Sequence, residues 1–410
     1  MLGKSKYTWV FIVIAIILVN VLYESDEKNN ILRLEWIYTL PLSNDDNPNI
    51  INNKDLLYDL SIENKLDKKY SYIQQKVSSE DIVYNKLIKI DENGNIINHN
   101  IIDIFSNKNE VFKINKIITD YESYVLLENS SYDLPVDFSV KKIDKNNIEQ
   151  WSKTFKSDGS IIIMTNIVSM GNDYIISGYK YDDIENGKSK FCAYKLNKDG
   201  TLIWKIEHGL SDNLMLNNIF VDSDNNLIVS GTIYRGAFID IWLASINSEG
   251  QIKWEKQLKD CSILGQSDVL KNDSFAVMLK SNKSLSKNKY RMLSFDLQGN
   301  IKWEKIYTFP FDYQNLGLYN DKESYIVFSN YEKNKRNDAE TQSEEYCHIT
   351  NIDQNGKVKW EENIAKLNNK KIQDITIYDN QYLLTGTMKD IKDMDVPWVG
   401  KFIKRKYILR

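Results

Sequence analysis

The side chains able to do chemistry are few and scattered along the chain. Residues 222–226 (DSDNN) alternate oxygen-bearing side chains like the start of a calcium loop, but the later bidentate Glu is missing. The string falls between two apolar runs, where other repeats carry GND, YND and YDN, and it reads as a polar turn. Carboxylates adjoin in Asp182–Asp183 and in Glu344–Glu345. A glycosidase needs two carboxyls about 5 to 10 Å apart across a cleft, and adjacency in sequence does not supply that. Cys192, Cys261 and Cys347 are odd in number, widely separated and without metal-ligand spacing, while His99, His208 and His348 are isolated. No nucleophile elbow, phosphate loop or HExxH is present. The sequence nominates no catalytic residue, no cofactor and no metal site.

With 410 residues, 42% hydrophobic and 27% charged, the chain has enough apolar mass for a large core. Its 53 basic and 57 acidic residues are interspersed, so it builds no field that would gather nucleic acid.

What organises the chain is a repeat. A Gly is followed four residues later by Trp and preceded four residues earlier by an apolar side chain in LNKDGTLIW (Gly200, Trp204), INSEGQIKW (Gly250, Trp254), FDLQGNIKW (Gly299, Trp303) and IDQNGKVKW (Gly356, Trp360). Two further copies are degenerate. IDENGNIIN keeps Gly94 with Asn98 for Trp, and IDKNNIEQW keeps Trp151 with Asn147 for Gly, a replacement that tolerates positive φ. Each copy reads as a strand, a tight turn and a second strand, at a period near fifty residues. A second register of apolar strands begins at Tyr72, Tyr124, Tyr174, Leu227, Phe275, Tyr325 and Tyr382, giving seven members.

The outer strand missing from the last repeat is expected at the other end of the chain. LRLEWIYTLP (residues 32–41) aligns without gaps on IKWEKIYTFP (301–310), which puts Leu34 at the Trp position. The carboxyl-terminal stretch stops after what reads as a third strand. Residues 32–41 should therefore close a ring, removing the open edges of a sheet. The expected fold is all-β, a seven-bladed β-propeller over residues 31–410; an open β-solenoid of the same period is the alternative.

Ahead of it, residues 7–23 (YTWVFIVIAIILVNVLY) form an apolar run after Lys4 and Lys6, with residues 1–6 before it and a linker at 24–30. The run is intermediate between a signal peptide and a spanning helix, and the absence of an A-x-A-like site favours an uncleaved transmembrane or signal-anchor helix. Basic residues on its amino-terminal side place the remainder outside the cytoplasm of a bacterial cell, on the cell membrane, or secreted if the segment is cleaved.

The D-x-x-G-x-x-x-W pattern resembles the tryptophan-docking repeat of the quinoprotein-like (PQQ-like) propellers, among them non-catalytic members similar to the outer-membrane assembly lipoprotein. The resemblance implies that Trp151, Trp204, Trp254, Trp303 and Trp360 stack between neighbouring blades. It implies no quinone here: the enzymes carry a vicinal disulfide, and this chain has no adjacent cysteines. Fold kinship does not fix activity.

Connections between second and third strands should all leave one face, and the longest insertions are of that kind: 181–188, 280–289, 331–345 and 387–397. They carry Asp182 and Asp183 on one side and Lys283, Lys287, Lys333 and Arg336 on another. A face of both signs suits a protein or a cell-envelope polymer, which points to a non-catalytic binding or scaffolding role. The competing expectation is a secreted polysaccharide hydrolase or lyase with carboxylates and tyrosines at the channel.

Overall fold

The computed structural model describes residues 32–404 apart from connecting segments such as 41–56, 106–112, 130–136 and 282–288. The apolar run 7–23 lies outside the described residues. Among the described residues there is no helix long and apolar enough to cross a membrane. Every regular element among the described residues is a strand.

Strand β1 (Leu32–Thr39) stands apart from those that follow it in sequence. The first sheet is β2 (Leu57–Glu63), β3 (Tyr70–Ser78), β4 (Val83–Asp91) and β5 (Ile96–Phe105). The second is β6 (Lys113–Asp120), β7 (Ser123–Asn129), β8 (Phe138–Asp144) and β9 (Glu149–Phe155). The third is β10 (Ile161–Met170), β11 (Asp173–Asp183), β12 (Lys188–Leu196) and β13 (Leu202–His208). The fourth is β14 (Asn213–Val221), β15 (Leu227–Arg235), β16 (Phe238–Ile246) and β17 (Ile252–Leu258). The fifth is β18 (Cys261–Gln266), β19 (Ser274–Ser281), β20 (Lys289–Asp296) and β21 (Ile301–Thr308). The sixth is β22 (Asn315–Asp321), β23 (Ser324–Asn337), β24 (Glu340–Asp353) and β25 (Val358–Asn363). The last is β26 (Lys370–Tyr378), β27 (Gln381–Lys389) and β28 (Asp395–Lys404), completed by β1 in the order β1-β28-β27-β26.

Each sheet is a four-stranded antiparallel meander, and each leans on the next. Contacts run from β2 to β6, β6 to β10, β10 to β14, β16 to β18, β18 to β22, β22 to β26 and from β26 back to β2. This is the β-propeller architecture. The second strands sit between two sheets, and β7 and β15 are buried along nearly their whole length. Such strands need unbroken apolar runs. The outer strands face water on one side, and β17 alternates half-buried with exposed. The core is accordingly divided among the gaps between sheets, as where Ile175, Tyr179 and Phe191 meet Leu216, Val229 and Trp242.

Backbone geometry explains two sequence signatures. The turn joining third to fourth strand is closed by Gly94 N–H donating to the Asp91 carbonyl at 3.0 Å, with Gly94 at φ +84°. The Asp91 carboxylate accepts from the backbone N–H of Asn93 and Asn95, and Asp353 does the same for Asn355 and Lys357, which is why Asp or Asn opens the motif. The Ser-Gly or Thr-Gly that ends the second-strand motif faces a bulge in the innermost strand. Such bulges recur between Met164 and Asn166, Leu216 and Asn218, and Ile372 and Asp374. They press backbone onto the glycine: a Cβ on Gly178 would lie 1.9 Å from the Ile163 oxygen, and one on Gly386 would lie 1.7 Å from that of Lys371.

Two expectations need correction at the level of register and element. In β1 it is Trp36, not Leu34, that occupies the Trp position: Trp36 pairs with Lys401 and Leu34 with Phe402, as Trp204 pairs with Lys195 and Leu202 with Leu196. The ungapped alignment was two residues out, a slip that keeps every side chain on its own face and so leaves the hydrophobic pattern unchanged. Residues 331–345, expected as a loop, continue the ladder of β23 and β24 out to Asn337 opposite Glu340.

Candidate functional site

The five repeat tryptophans and Trp36 divide into two behaviours. Five of the six indoles reach across to the next sheet, where Nε1 donates to the carbonyl two residues before the turn glycine. Trp151 bonds Lys198 O at 3.0 Å, Trp204 bonds Ser248 O at 2.8 Å, Trp254 bonds Leu297 O at 2.8 Å and Trp303 bonds Gln354 O at 2.6 Å. Trp36 makes the same bond to Glu92 O at 3.3 Å, joining the last sheet to the first. The ring then lies under the glycine itself: a Cβ on Gly200 would meet Trp151 at 2.8 Å, one on Gly250 would meet Trp204 at 3.1 Å, and one on Gly299 would meet Trp254 at 2.7 Å. Gly356 sits likewise over Trp303, at 3.1 Å. These residues hold neighbouring sheets together. Trp360 differs. It is 8% exposed, Lys404 Nζ lies 5.6 Å from its ring centre, and its buried Nε1 has no hydrogen-bond partner among the described residues. The sheet it faces has no β28-to-β1 turn, because those strands come from distant parts of the chain.

The residues expected to bind fall in the hairpins between second and third strands. Asp182 and Asp183 end β11, with Asp183 opposite Lys188 in the ladder. Lys333 stands opposite Glu344 and Arg336 opposite Thr341 in the long β23–β24 hairpin. Lys283 and Lys287 lie outside the described residues. The fifth and sixth sheets are neighbours, whereas the fourth intervenes between the fifth and Asp182–Asp183. Of the described residues, Asp182 and Asp183 therefore belong to the third sheet and Lys333 and Arg336 to the sixth.

Sequence reading missed two groups of charged and aromatic side chains on the third and fourth sheets, the first on the face of the third sheet that is turned toward the second. Lys180, 4% exposed, donates to Asp158 and to Glu207, each at 3.2 Å. Glu207 also pairs with Lys190 at 3.2 Å and Lys205 at 2.7 Å. Burial works against its charge, but the three ammonium groups hold the Glu207 carboxyl down at about 2. On the fourth sheet, Arg235 pairs with the buried Asp240, which also accepts from Gln257 Nε2 at 2.7 Å and from the Asp260 N–H at 2.8 Å. His208 stacks on Trp242 with ring centres 5.6 Å apart, and Glu255 binds both, at 2.9 and 3.0 Å. These partners are tens of residues apart, so no local motif announces them.

The calcium-like string is a turn: Asp222 Oδ1 accepts from the N–H of Asp224 and Asn226, and Oδ2 accepts from Asn226 Nδ2. Burial pushes the Cys192 thiol up to about 12 and the Cys261 thiol up to about 11, far from thiolate chemistry. Among the described residues no three His, Cys, Asp or Glu side chains are placed to hold a metal ion.

No protein-family model matches the chain, and no curated protein does. Solved structures do match. The polysaccharide lyase Uly1 shares 11% identity over 84% of this chain and 89% of its own, with a TM-score of 0.50. A protein of unknown function from Dyadobacter fermentans shares 7% identity over 92% of this chain and 100% of its own, with a TM-score of 0.48. BBS1N shares 8% identity over 92% and 98%, with a TM-score of 0.47. At these identities the likeness is one of fold.

Proposed function

We propose that this chain is an extracytoplasmic binding propeller of seven blades, held at a bacterial cell membrane by residues 7–23, that engages a protein or a cell-envelope polymer through its hairpin face. Seven four-stranded sheets and the pairing of β1 with β28 support the blade count. The Trp-over-Gly clasps support kinship with the quinoprotein-like propellers. The single observation that carries the binding reading is the contrast between the repeat and the hairpins it carries. The repeat residues are consumed in joining sheets, whereas the hairpins between second and third strands vary in length and composition, and one extends to two strands of 14 residues each. A constant scaffold with variable projecting connections is the usual arrangement for recognition.

The test uses the full chain with a carboxyl-terminal tag, produced in a bacterial host. The expected results are membrane retention after alkaline washing, degradation by protease added to intact cells, and retention of cell-envelope material on the purified protein. Recovery in the soluble cytoplasm, or a protein that retains neither envelope polymer nor envelope protein, overturns the reading.

A further inference from the structure

We infer that the rim bearing the third-to-fourth-strand turns rests on the lipid bilayer, which directs the hairpin face away from it. The inference rests on the reading above that residues 7–23 hold the chain at a membrane, and it adds which surface the lipid meets.

The course of the chain gives the first reason. β1 is the outermost strand of its sheet, and Leu34 pairs with Phe402 as Leu202 pairs with Leu196. Leu32 therefore enters at the end of the sheet where the other outermost strands begin, just after their turns. Residues 24–31 span at most about 29 Å between the apolar run and Leu32. The eight residues of β1 rise about 26 Å from that end toward the hairpins. To set the hairpin face on the same bilayer, the connection would have to double back over the height of the sheet, using nearly all of its reach.

Exposed apolar side chains collect at the same end. Ile96, Leu202, Ile301 and Val358 open the outermost strands of four sheets, each two residues after a turn glycine and between 37% and 48% exposed. Ile97, Ile148 and Ile203 stand beside them and are exposed as well. Elsewhere among the described residues large exposed apolar side chains are fewer: Tyr38 and Ile306 lie late in their strands, and Tyr234 and Phe238 flank one hairpin. The four at equivalent positions belong to the first, third, fifth and sixth sheets of the ring. Side chains at one register around a ring share a plane, and a bilayer surface is planar.

Charge on this rim permits the contact. Exposed Lys253, Lys302 and Lys359 are interspersed with exposed Glu92, Asp199 and Glu249. The turn carboxylates of Asp91, Asp144 and Asp353 each accept two backbone N–H groups within their own turn. Burial of apolar side chains in the interface then favours docking, and lysine stems can lie along it with their ammonium groups among the headgroups.

The three native cysteines are buried, so a cysteine introduced on the surface can be labelled selectively. Leu202→Cys, Ile301→Cys and, at the hairpin end of β12, Lys188→Cys would each carry an environment-sensitive fluorophore. The full chain would be placed in vesicles of phosphatidylethanolamine and phosphatidylglycerol containing lipid with a nitroxide on its acyl chain. The expected result is quenching at Leu202→Cys and Ile301→Cys at least about twofold stronger than at Lys188→Cys. Adding Ile203→Ser and Val358→Ser should lower the quenching at Ile301→Cys and leave vesicle retention unchanged. Equal quenching at all three sites, stronger quenching at Lys188→Cys, or indifference to the serine pair overturns the docking while the anchor stands. Shielding of the rim labels from aqueous iodide without lipid quenching assigns the rim to a protein, a second copy included, and also overturns it. Loss of the full chain from the vesicles on alkaline washing overturns the membrane reading beneath it.

Discussion

Trp36 lies under Gly94. The indole comes from the amino-terminal strand and the glycine from the first sheet, yet a Cβ on Gly94 would come within 2.9 Å of the ring, and Nε1 of Trp36 donates to the Glu92 carbonyl. One clasp of the repeat is therefore made by the strand that closes the last sheet.

Gly94→Ala should cost about 2–4 kcal/mol, combining about 1–2 for a left-handed backbone with the overlap against Trp36. Gly200→Ala should behave alike, since φ is +77° and the ring of Trp151 is 2.8 Å away. Gly209→Ala, where the nearest neighbour lies at 3.5 Å, should stay within about 0.5 kcal/mol of wild type. Denaturant melts of the three variants separate these outcomes.

Removal of residues 1–40 should expose the edge of β28 and strip Trp36 from Gly94. The expected product is aggregated or melts well below the full chain, because the last sheet then offers unpaired backbone along its whole outer edge. Size-exclusion chromatography and a thermal melt check this. A monomer with unchanged melting would show that closure lies elsewhere.

Trp303→Phe and Trp360→Phe should differ in sign or size. The first deletes a 2.6 Å bond to Gln354 O and should cost about 1 kcal/mol. The second removes a buried N–H with no partner among the described residues and should be neutral or stabilising. Equal destabilisation of both would refute the distinction drawn between the two indoles.

Glu207 supplies a pH dependence. Its folded value, about 2, lies below the roughly 4.3 of an unfolded glutamate. The stabilisation is therefore present above about pH 4.3 and is lost as pH falls towards 2. Glu207→Gln should be less stable than wild type at pH 7, and the gap should narrow across that acid window. A constant gap down to pH 2 would mean the carboxylate is not what the lysines stabilise.

Much of this architecture was legible because it is periodic. The Gly-x-x-x-Trp spacing marks turns and outer strands directly, and the apolar runs from Tyr72 to Tyr382 fall in the second strand of each sheet. Register was harder. A two-residue slip moved the Trp position from Trp36 to Leu34 without disturbing the alternation of faces. Residues 331–345 are polar enough to pass for a loop, yet they extend a ladder whose strand character comes from its continuity with β23 and β24. The network of Lys180, Asp158 and Glu207 was invisible because only the stacking of strands within a sheet brings these residues together.

The pairing of Leu32 with Lys404 sets a schedule for folding. The two residues are 404 − 32 = 372 positions apart, so β1 emerges from the ribosome with no partner and waits for nearly the whole protein. At about 5–20 residues per second the delay is roughly 20 to 75 s. Throughout that interval a half-apolar strand and an open wheel coexist. The risk of mispairing with another nascent chain is thus concentrated before the final ten residues of the seam are made.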